Sequence, residues 1–478
     1  MIYPRLKLAR NLLTDDGVIF ISIDDNEFSN LKKICDEIFN EVNFIENFLW
    51  NKSSGGSSLS KFTRKDYEYV LCYAKNVEKI SDKFIGSISE GMGDSSLINQ
   101  PNKYSKLFFP KNSITFTNRI NGHINKFKDN NFELHDDLEI SNSKNLNDIN
   151  ISSKWKWSQE YLDNELSNGT QIISKSDNLR LRYIKDNKGS IIPPTKSITE
   201  KDNVGYTVSG SAEIVSLLGK GFFDYPKPTS LVKYLINMVT DKDALIFDFF
   251  SGSSSTAQAT IQLNSEDGGN RKFILVQIGE GTSEKSESYK AGYKTIAEIG
   301  KERIRRAGDK IKSENFDETF VSKVVRNLGN EVSVSKSFLD IGFKVFKLDS
   351  SNLKKWDPDY KDPEQSILTS IDNIKDDRTE FDLLYEIMLK YGIDLTLEIK
   401  EYDIANKKIY SVGFGALLIC LDDEITSEIA IEIIKLKEEL SPETARVVFK
   451  DNGFKSDSDK TNIKETLKTN GIDEFITI

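Results

Sequence analysis

Apolar and polar positions along this chain alternate between two periods. Near the start, Leu6, Leu8, Leu12 and Leu13 recur through "YPRLKLARNLL" with basic residues between them, a helical stripe that "TDDG" ends. The apolar run "VIFISI", bounded by acids, predicts a strand. "NEFSNLKKICDEIF" returns to helical spacing, with Asn26 or Ser29 as candidate caps, and "YEYVLCYAKN" alternates and is rich in aromatic and β-branched residues, as strands are. From about 81 to 205 the regularity fades into Asn, Ser, Asp and Lys with scattered aromatics. It returns near 212: "TSLVKYLINMV" predicts a helix, "ALIF" a strand running into Asp248, a second helix starts near Thr256, and "KFILVQI" predicts another buried strand. "YKTIAEIGKERIRRAGDKI" then reads as an amphipathic helix with a basic end. A polar linker over 313–340 precedes a last region of strands and helices.

Composition adds little to the fold but narrows the class. With 478 residues and 38% hydrophobic content, the chain is long enough for roughly three domains with buried cores. A net charge of −10 argues against a uniformly basic nucleic-acid coat, so local charge matters more than the total. One segment stands out: 101–128 holds Lys103, Lys106, Lys111, Arg119, Lys126 and Lys128 and no acid. Counterion release would favour such a surface on DNA, with its aromatics stacking on bases. Equally, those aromatics form the core of an inserted β-rich domain beneath a solvated basic face. Cys35, Cys72 and Cys420 are odd in number and lack CxxC spacing, which indicates neither a disulfide framework nor a zinc ribbon, and no other metal site is expected. The longest apolar run, "VGFGALLICL", is too short to cross a bilayer; no targeting signal is read, and a cytoplasmic location is expected.

The candidate chemistry lies in "DFFSGSSSTAQA", residues 248–259. A strand that enters a tight turn and then a helix offers free backbone N–H groups and the positive end of a helix dipole, which seats a carboxylate or phosphate. Gly252 permits close approach; Ser251, Ser253, Ser254, Ser255 and Thr256 bring hydroxyls. Asp248 at the strand end can face a cation on the same ligand. S-adenosylmethionine carries both charges. The turn lacks the GxGxxG spacing of dinucleotide folds and the GK[ST] ending of a P-loop, which leaves a nicotinamide-dependent oxidoreductase a distant reading.

Just upstream, "FDYPKP" leads into a helix, and its pairing with the turn resembles motifs X and I of the amino-methylating DNA methyltransferases. "YPRLKLARNLLTDDGVIFISIDDNE", "RKFILVQIGE", "GYKTIAEIGKERIRRAGDKI", "GFKVFKLDSSN" and "VVFKDNGFKSDSDKTNI" are similar to the modification subunit of type III restriction-modification systems, in the class whose catalytic half precedes the cofactor half. The resemblance implies an α/β fold: a Rossmann-like methyltransferase sheet with an inserted target-recognition domain and a C-terminal α/β domain. It implies the remainder of the catalytic half at 1–80, the recognition insert at 81–205, the cofactor half at 206–312, the linker at 313–340 and a subunit-association domain at 341–478. The implied activity is methyl transfer from S-adenosylmethionine to adenine N6 in double-stranded DNA. Its implied cofactor residues are Phe223, Tyr225, Asp248, Phe249, Gly252, Ser253 and Thr256, with Gln277 or Glu280 for the ribose. Implied partners are DNA, a second copy of the chain and the ATP-dependent restriction subunit.

One departure limits this. The family's Asp-Pro-Pro-Tyr segment, which holds the flipped base's amino group, is absent from the sequence: "DPDY" at 357–360 follows a polar stretch instead of a strand, and "IPPT" at 192–195 lacks the acid and the aromatic. No catalytic residue is therefore assigned. The chain is expected to begin inside the catalytic domain, leaving unpaired sheet edges and exposed apolar side chains. A noncatalytic DNA-binding or assembly remnant, or half of a split enzyme, is the alternative.

Overall fold

The computed structural model describes residues 2–55, 61–80, 84–89, 93–176, 178–185, 190–239, 241–315, 339–354 and 374–478, which fall in two units, Met1–Gly342 and Phe343–Ile478.

In the first unit the leucine stripe forms helix α1 (Ile2–Leu12), followed by strand β1 (Val18–Ile23), helix α2 (Phe28–Phe39), and strands β2 (Phe44–Asn51) and β3 (Tyr67–Ala74). A short strand β4 (Ser197–Ile198) returns from the insert, giving a sheet of order β1-β3-β2-β4 in which only β4 runs parallel to its neighbour. Leu6, Ala9, Leu31, Cys35 and Phe39 of the two helices bury against Ile19, Leu71 and Tyr73 of the sheet. Each such large side chain withdrawn from water contributes roughly 1.5–3 kcal/mol before conformational entropy is counted. Neither Asn26 nor Ser29 caps α2. Glu27 holds the cap position without a side-chain hydrogen bond, because Asn26 is engaged by Asp24 through both its backbone and its side-chain amide.

The insert is built from short strands in a seven-stranded and a four-stranded sheet. Leu107, Phe109, Ile114, Phe116, Leu134, Ile151 and Trp155 fill its core. The chain then forms helices α3 (Thr207–Leu217) and α4 (Thr229–Val239), strand β5 (Leu245–Asp248), helix α5 (Ser255–Asp267), strand β6 (Lys272–Leu275) and helix α6 (Ile296–Asn315). Leu231, Leu235 and Met238 of α4 pack on Phe48, Trp50, Val70 and Cys72, on the sheet face that α1 and α2 leave open.

Strands β5 and β6 pair in parallel, Leu245 opposite Lys272 through Asp248 opposite Leu275. The expected burial on both faces is not found. Ile246 packs against Ile236, Ala259 and Leu263, but Leu245 (62% exposed), Phe247, Ile274, Val276 and Ile278 (68% exposed) stand in solvent. Side chains alternate along a strand, so the helices α4 and α5 cover only the face that Ile246 presents. Both β1 and β5 are outermost strands of their sheets.

The second unit is a five-stranded sheet of β7 (Ile399–Ile404), β8 (Lys407–Val412), β9 (Leu417–Cys420), β10 (Arg446–Phe449) and β11 (Glu474–Thr477) in that order. Its first two pairings are antiparallel and its last two parallel. Helix α7 (Glu380–Lys390) covers one face, and α8 (Glu428–Leu440) with α9 (Asp457–Thr469) covers the other. The apolar run at 412–421 is the end of β8, a glycine turn and β9. Among the described residues no helix is long and apolar enough to cross a membrane. All three cysteines are free and buried; burial pushes the Cys35 thiol up to about 12 and the Cys420 thiol to about 11.

Candidate functional site

The turn between β5 and α5 is organised from its own acid. Asp248 accepts from the Phe250 N–H at 3.1 Å and from the Thr256 hydroxyl at 2.6 Å, which ties the strand end to the first turn of the helix. Val276 N–H donates to the Asp248 carbonyl at 2.8 Å, Ser251 N–H to the Val276 carbonyl at 3.2 Å, and Gly252 N–H to the Gln277 side-chain oxygen at 2.8 Å. Gly252 and Ser254 both take left-handed backbone conformations, at φ +49° and +61°. For Gly252 that is free of penalty; for Ser254 it is strained, as a serine in a position easier for glycine must be. Ser254 is the residue before α5, and its side chain makes no capping bond. The first-turn amides of α5, which have no intrahelical acceptor, are left for another acceptor.

The serine hydroxyls do not line the turn's outer side. Ser251, Ser253, Ser254 and Ser255 are all buried. Ser253 and Ser255 accept from the Arg303 guanidinium, each at 2.8 Å, and Ser255 donates to the Lys227 carbonyl at 3.1 Å. Small side chains are required here because α6 comes close: a Cβ on Gly300 would stand 2.5 Å from the Ser254 hydroxyl and 3.3 Å from the Gly252 carbonyl.

Of the residues predicted around the turn, Phe223 is brought to it: a Cβ at Gly252 would meet the Phe223 ring at 3.5 Å. Tyr225 is 82% exposed, with a left-handed backbone. Phe249 points away from the turn into the core around Ile19 and Leu31. Glu280 is exposed at the end of the β6 loop, whereas Gln277 is committed to the turn backbone. "FDYPKP" is clamped on both sides: α3 packs so closely that a Cβ on Gly210 would stand 2.4 Å from the Pro226 carbonyl, and Lys227 pairs with Glu68 at 2.7 Å while lying over the Trp50 ring. Burial pushes the Glu68 carboxyl up, but the Lys227 and Lys52 ammoniums outweigh it and hold it below the usual carboxylate range.

Arg303, Gly300, Gln258 and the Glu68–Lys227 pair escaped sequence reasoning. A signal for Arg303 was present: Ile299, Arg303 and Ala307 recur at four-residue spacing on the buried side of α6, so a cation interrupts an apolar stripe.

In the insert, Lys103, Lys106, Lys111, Lys126 and Lys128 are exposed and Arg119 is half-buried beneath Gly122. Phe109 and Phe116 belong to the core, while Tyr104 and Phe108 remain exposed. The acid-free run in sequence is not acid-free in space. The strand pairings place Lys106, Ser152, Glu133 and Lys128 in one row across the four-stranded sheet, and Lys128 pairs with Glu133 at 3.1 Å. Of the two decoy segments, 357–360 lies outside the described residues, and in 192–195 the Thr195 hydroxyl donates to the Ser197 carbonyl.

A parallel strand–turn–helix–strand unit with an open helix start, joined to a second sheet and an insert, defines an α/β protein. The model of the DNA methylase family, N6/N4 methyltransferases, matches residues 1–303, and the chain belongs to that family. It is similar to the type III restriction-modification enzyme StyLTI Mod subunit of Salmonella typhimurium, 35% identical over 66% of this chain and 45% of that protein. The EcoPI Mod subunit of Escherichia phage P1 is 31% identical over 64% of this chain and 49% of its own length. The EcoP15I Mod subunit of Escherichia coli is 27% identical over 98% of this chain and 70% of its length. The chain thus spans about half the length of the first two of these relatives. Among solved structures, the M1.HpyAVI–SAM complex aligns with 63% of this chain and 82% of that chain at 13% identity and a TM-score of 0.25, too low a likeness to bear on the fold.

Proposed function

We propose that this chain carries the cofactor-binding and DNA-reading parts of an S-adenosylmethionine-dependent adenine-N6 DNA methyltransferase, the modification subunit of a type III restriction-modification system. The observation that carries the reading is the turn from Asp248 to Thr256, lying within the residues that match the family. The methyl donor supplies an electrophilic methyl group on a sulfonium. Its carboxylate would be held by the first-turn amides of α5, and its ammonium would lie near Asp248, whose two oxygens keep acceptor capacity beyond the Phe250 and Thr256 bonds. The Phe223 ring would wall the Gly252 side. Glu280, exposed and uncommitted to the turn backbone, is the better candidate than Gln277 for the ribose hydroxyls.

The residues of this chain therefore bind and orient. Methyl transfer to an amino group depends chiefly on alignment of donor and acceptor, and the Asp-Pro-Pro-Tyr segment that holds the acceptor in this family is not in the sequence. Residues 81–205 would read DNA, with Lys103, Lys111 and Lys126 the strongest phosphate contacts because they lie outside the row neutralised by Glu133. The unit from Phe343 onward would serve association with a second copy and with the ATP-dependent restriction subunit.

Equilibrium dialysis with labelled S-adenosylmethionine, followed by incubation with mixed-sequence DNA, tests the reading. Saturable donor binding is expected from this chain alone, and label in adenine N6 once a polypeptide bearing an Asp-Pro-Pro-Tyr segment is added. Folded protein that binds DNA in a salt-sensitive manner yet never binds the donor would refute it.

A further inference from the structure

We propose that Arg303 is the positioning residue of the cofactor turn, setting from inside the protein the backbone shape that the methyl donor would meet; this rests on the reading above. Arg303 is completely buried, and its planar fork reaches three elements at once. Nε donates to the Gln258 side chain of α5 at 2.8 Å. Nη1 donates to the Ser253 and Ser255 hydroxyls, each at 2.8 Å, and reaches the Ser253 carbonyl at 3.4 Å. Nη2 reaches Glu213 of α3 at 3.2 Å and the Thr229 hydroxyl at the start of α4 at 3.3 Å.

A fully buried cation carries a desolvation penalty that only good geometry and further hydrogen bonds offset, and apolar residues of similar volume often serve stability as well. Packing alone therefore does not call for an arginine here. What the fork does is fix Ser253 and Ser255 on either side of the strained Ser254. Ser255 passes the constraint on, because its hydroxyl donates to the Lys227 carbonyl. Gly300, one turn earlier on the same side of α6, admits the turn to contact with the helix backbone. Arg303 and Gly300 together make α6 a template: one residue supplies donors and the other space. The "FDYPKP" segment, the serine turn and α3 are thereby held in one fixed relation. A cavity of about 250 Å³ bordered by Glu213, Thr229 and Gln258 lies beside this network, so its outer members have room to shift when the fork is removed.

The test measures S-adenosylmethionine affinity by calorimetry and thermal stability in parallel for the wild type, Arg303→Met, Arg303→Lys and Leu134→Ala. The last removes a buried leucine from the insert core and serves as a control for stability loss alone. Arg303→Met leaves the Ser253 and Ser255 hydroxyls without the guanidinium, and S-adenosylmethionine affinity is expected to fall by roughly tenfold or more, with Arg303→Lys intermediate because a single ammonium replaces Nη1 at the serines but not the Nε and Nη2 donors to Gln258, Glu213 and Thr229. Leu134→Ala is expected to melt earlier and bind as the wild type does. Should Arg303→Met fail to fold, the comparison passes to Arg303→Lys, for which a loss of about threefold or more supports the proposal. Wild-type affinity in a folded Arg303 variant, or an equal loss in Leu134→Ala, overturns it. Wild-type protein that binds no donor overturns the cofactor reading and this proposal with it, an outcome distinct from binding that Arg303 does not influence.

Discussion

At the scale of single residues, the turn is a place where size decides more than polarity. Gly300→Ala would gain about 1 kcal/mol in helix propensity. Overpacking against the Ser254 hydroxyl and the Gly252 carbonyl costs about 1–3 kcal/mol, so the clash wins. The variant is expected to melt no higher than the wild type and to lose donor affinity; a higher melting point with unchanged affinity would contradict the close approach of α6. Ser254→Gly tests the converse. Relief of the left-handed strain should raise stability by about 1 kcal/mol in a denaturant titration, with donor binding retained. The close approach at Gly252 was legible from the sequence, which sets a glycine among small hydroxylated residues. The direction of the hydroxyls was not. It depends on which face of a helix more than forty residues downstream carries an arginine, and no local pattern around Ser253 reports that.

At the scale of elements, the strand and helix runs between 229 and 315 were readable from periodicity, since "ALIF", "KFILVQI" and the two helices flanking the turn were each read from the sequence, whereas α3 was not. Burial of β5 and β6 was not readable. An apolar run looks the same whether one face is covered or both, and here helices cover the Ile246 side only. Leu245→Ser together with Ile278→Ser should therefore lower the fluorescence of a hydrophobic dye while changing stability by no more than about 0.5 kcal/mol, as expected for exposed positions. A loss of several kcal/mol would show that these side chains are covered in solution. In the second unit, burial pushes the Glu386 carboxyl of α7 up, but Lys390, the Ser351 hydroxyl and the Asn352 N–H outweigh it and bring it down to about 2. A carboxylate lowered on folding stabilises fully above its unfolded pKa and loses that contribution as pH falls through the folded one. The expected window is pH 4.5 down to 2, and the contribution at neutral pH is up to roughly 3 kcal/mol. Glu386→Gln should flatten the pH dependence of unfolding in that window, and an unchanged profile would assign the acid sensitivity elsewhere.

At the scale of the whole molecule, an acidic chain of net charge −10 that binds DNA, as proposed, would do so through a local surface. The sequence located the basic segment but not its neutralisation, because Glu133 lies beyond it in sequence and reaches Lys128 only through strand pairing. Replacing Lys111 or Lys126 with alanine is expected to weaken DNA binding and to reduce the salt slope by about one unit each, whereas Lys128→Ala should do markedly less. Equal effects at all three would mean that the Lys128–Glu133 pair opens on DNA. The same limit applies to the division into two units: the first has several sheets and cores and the second one five-stranded sheet, which alternating patterns announce, while the order and direction of strands within each sheet come from pairings distant in sequence.

Everything functional rests on backbone amides at the start of α5 receiving the donor's carboxylate. Amide hydrogen exchange across 250–258, with and without S-adenosylmethionine, reads those groups directly. The account predicts slower exchange in this segment on adding the donor, with the second unit unaffected. Donor binding that leaves 250–258 unprotected and slows exchange elsewhere would contradict it.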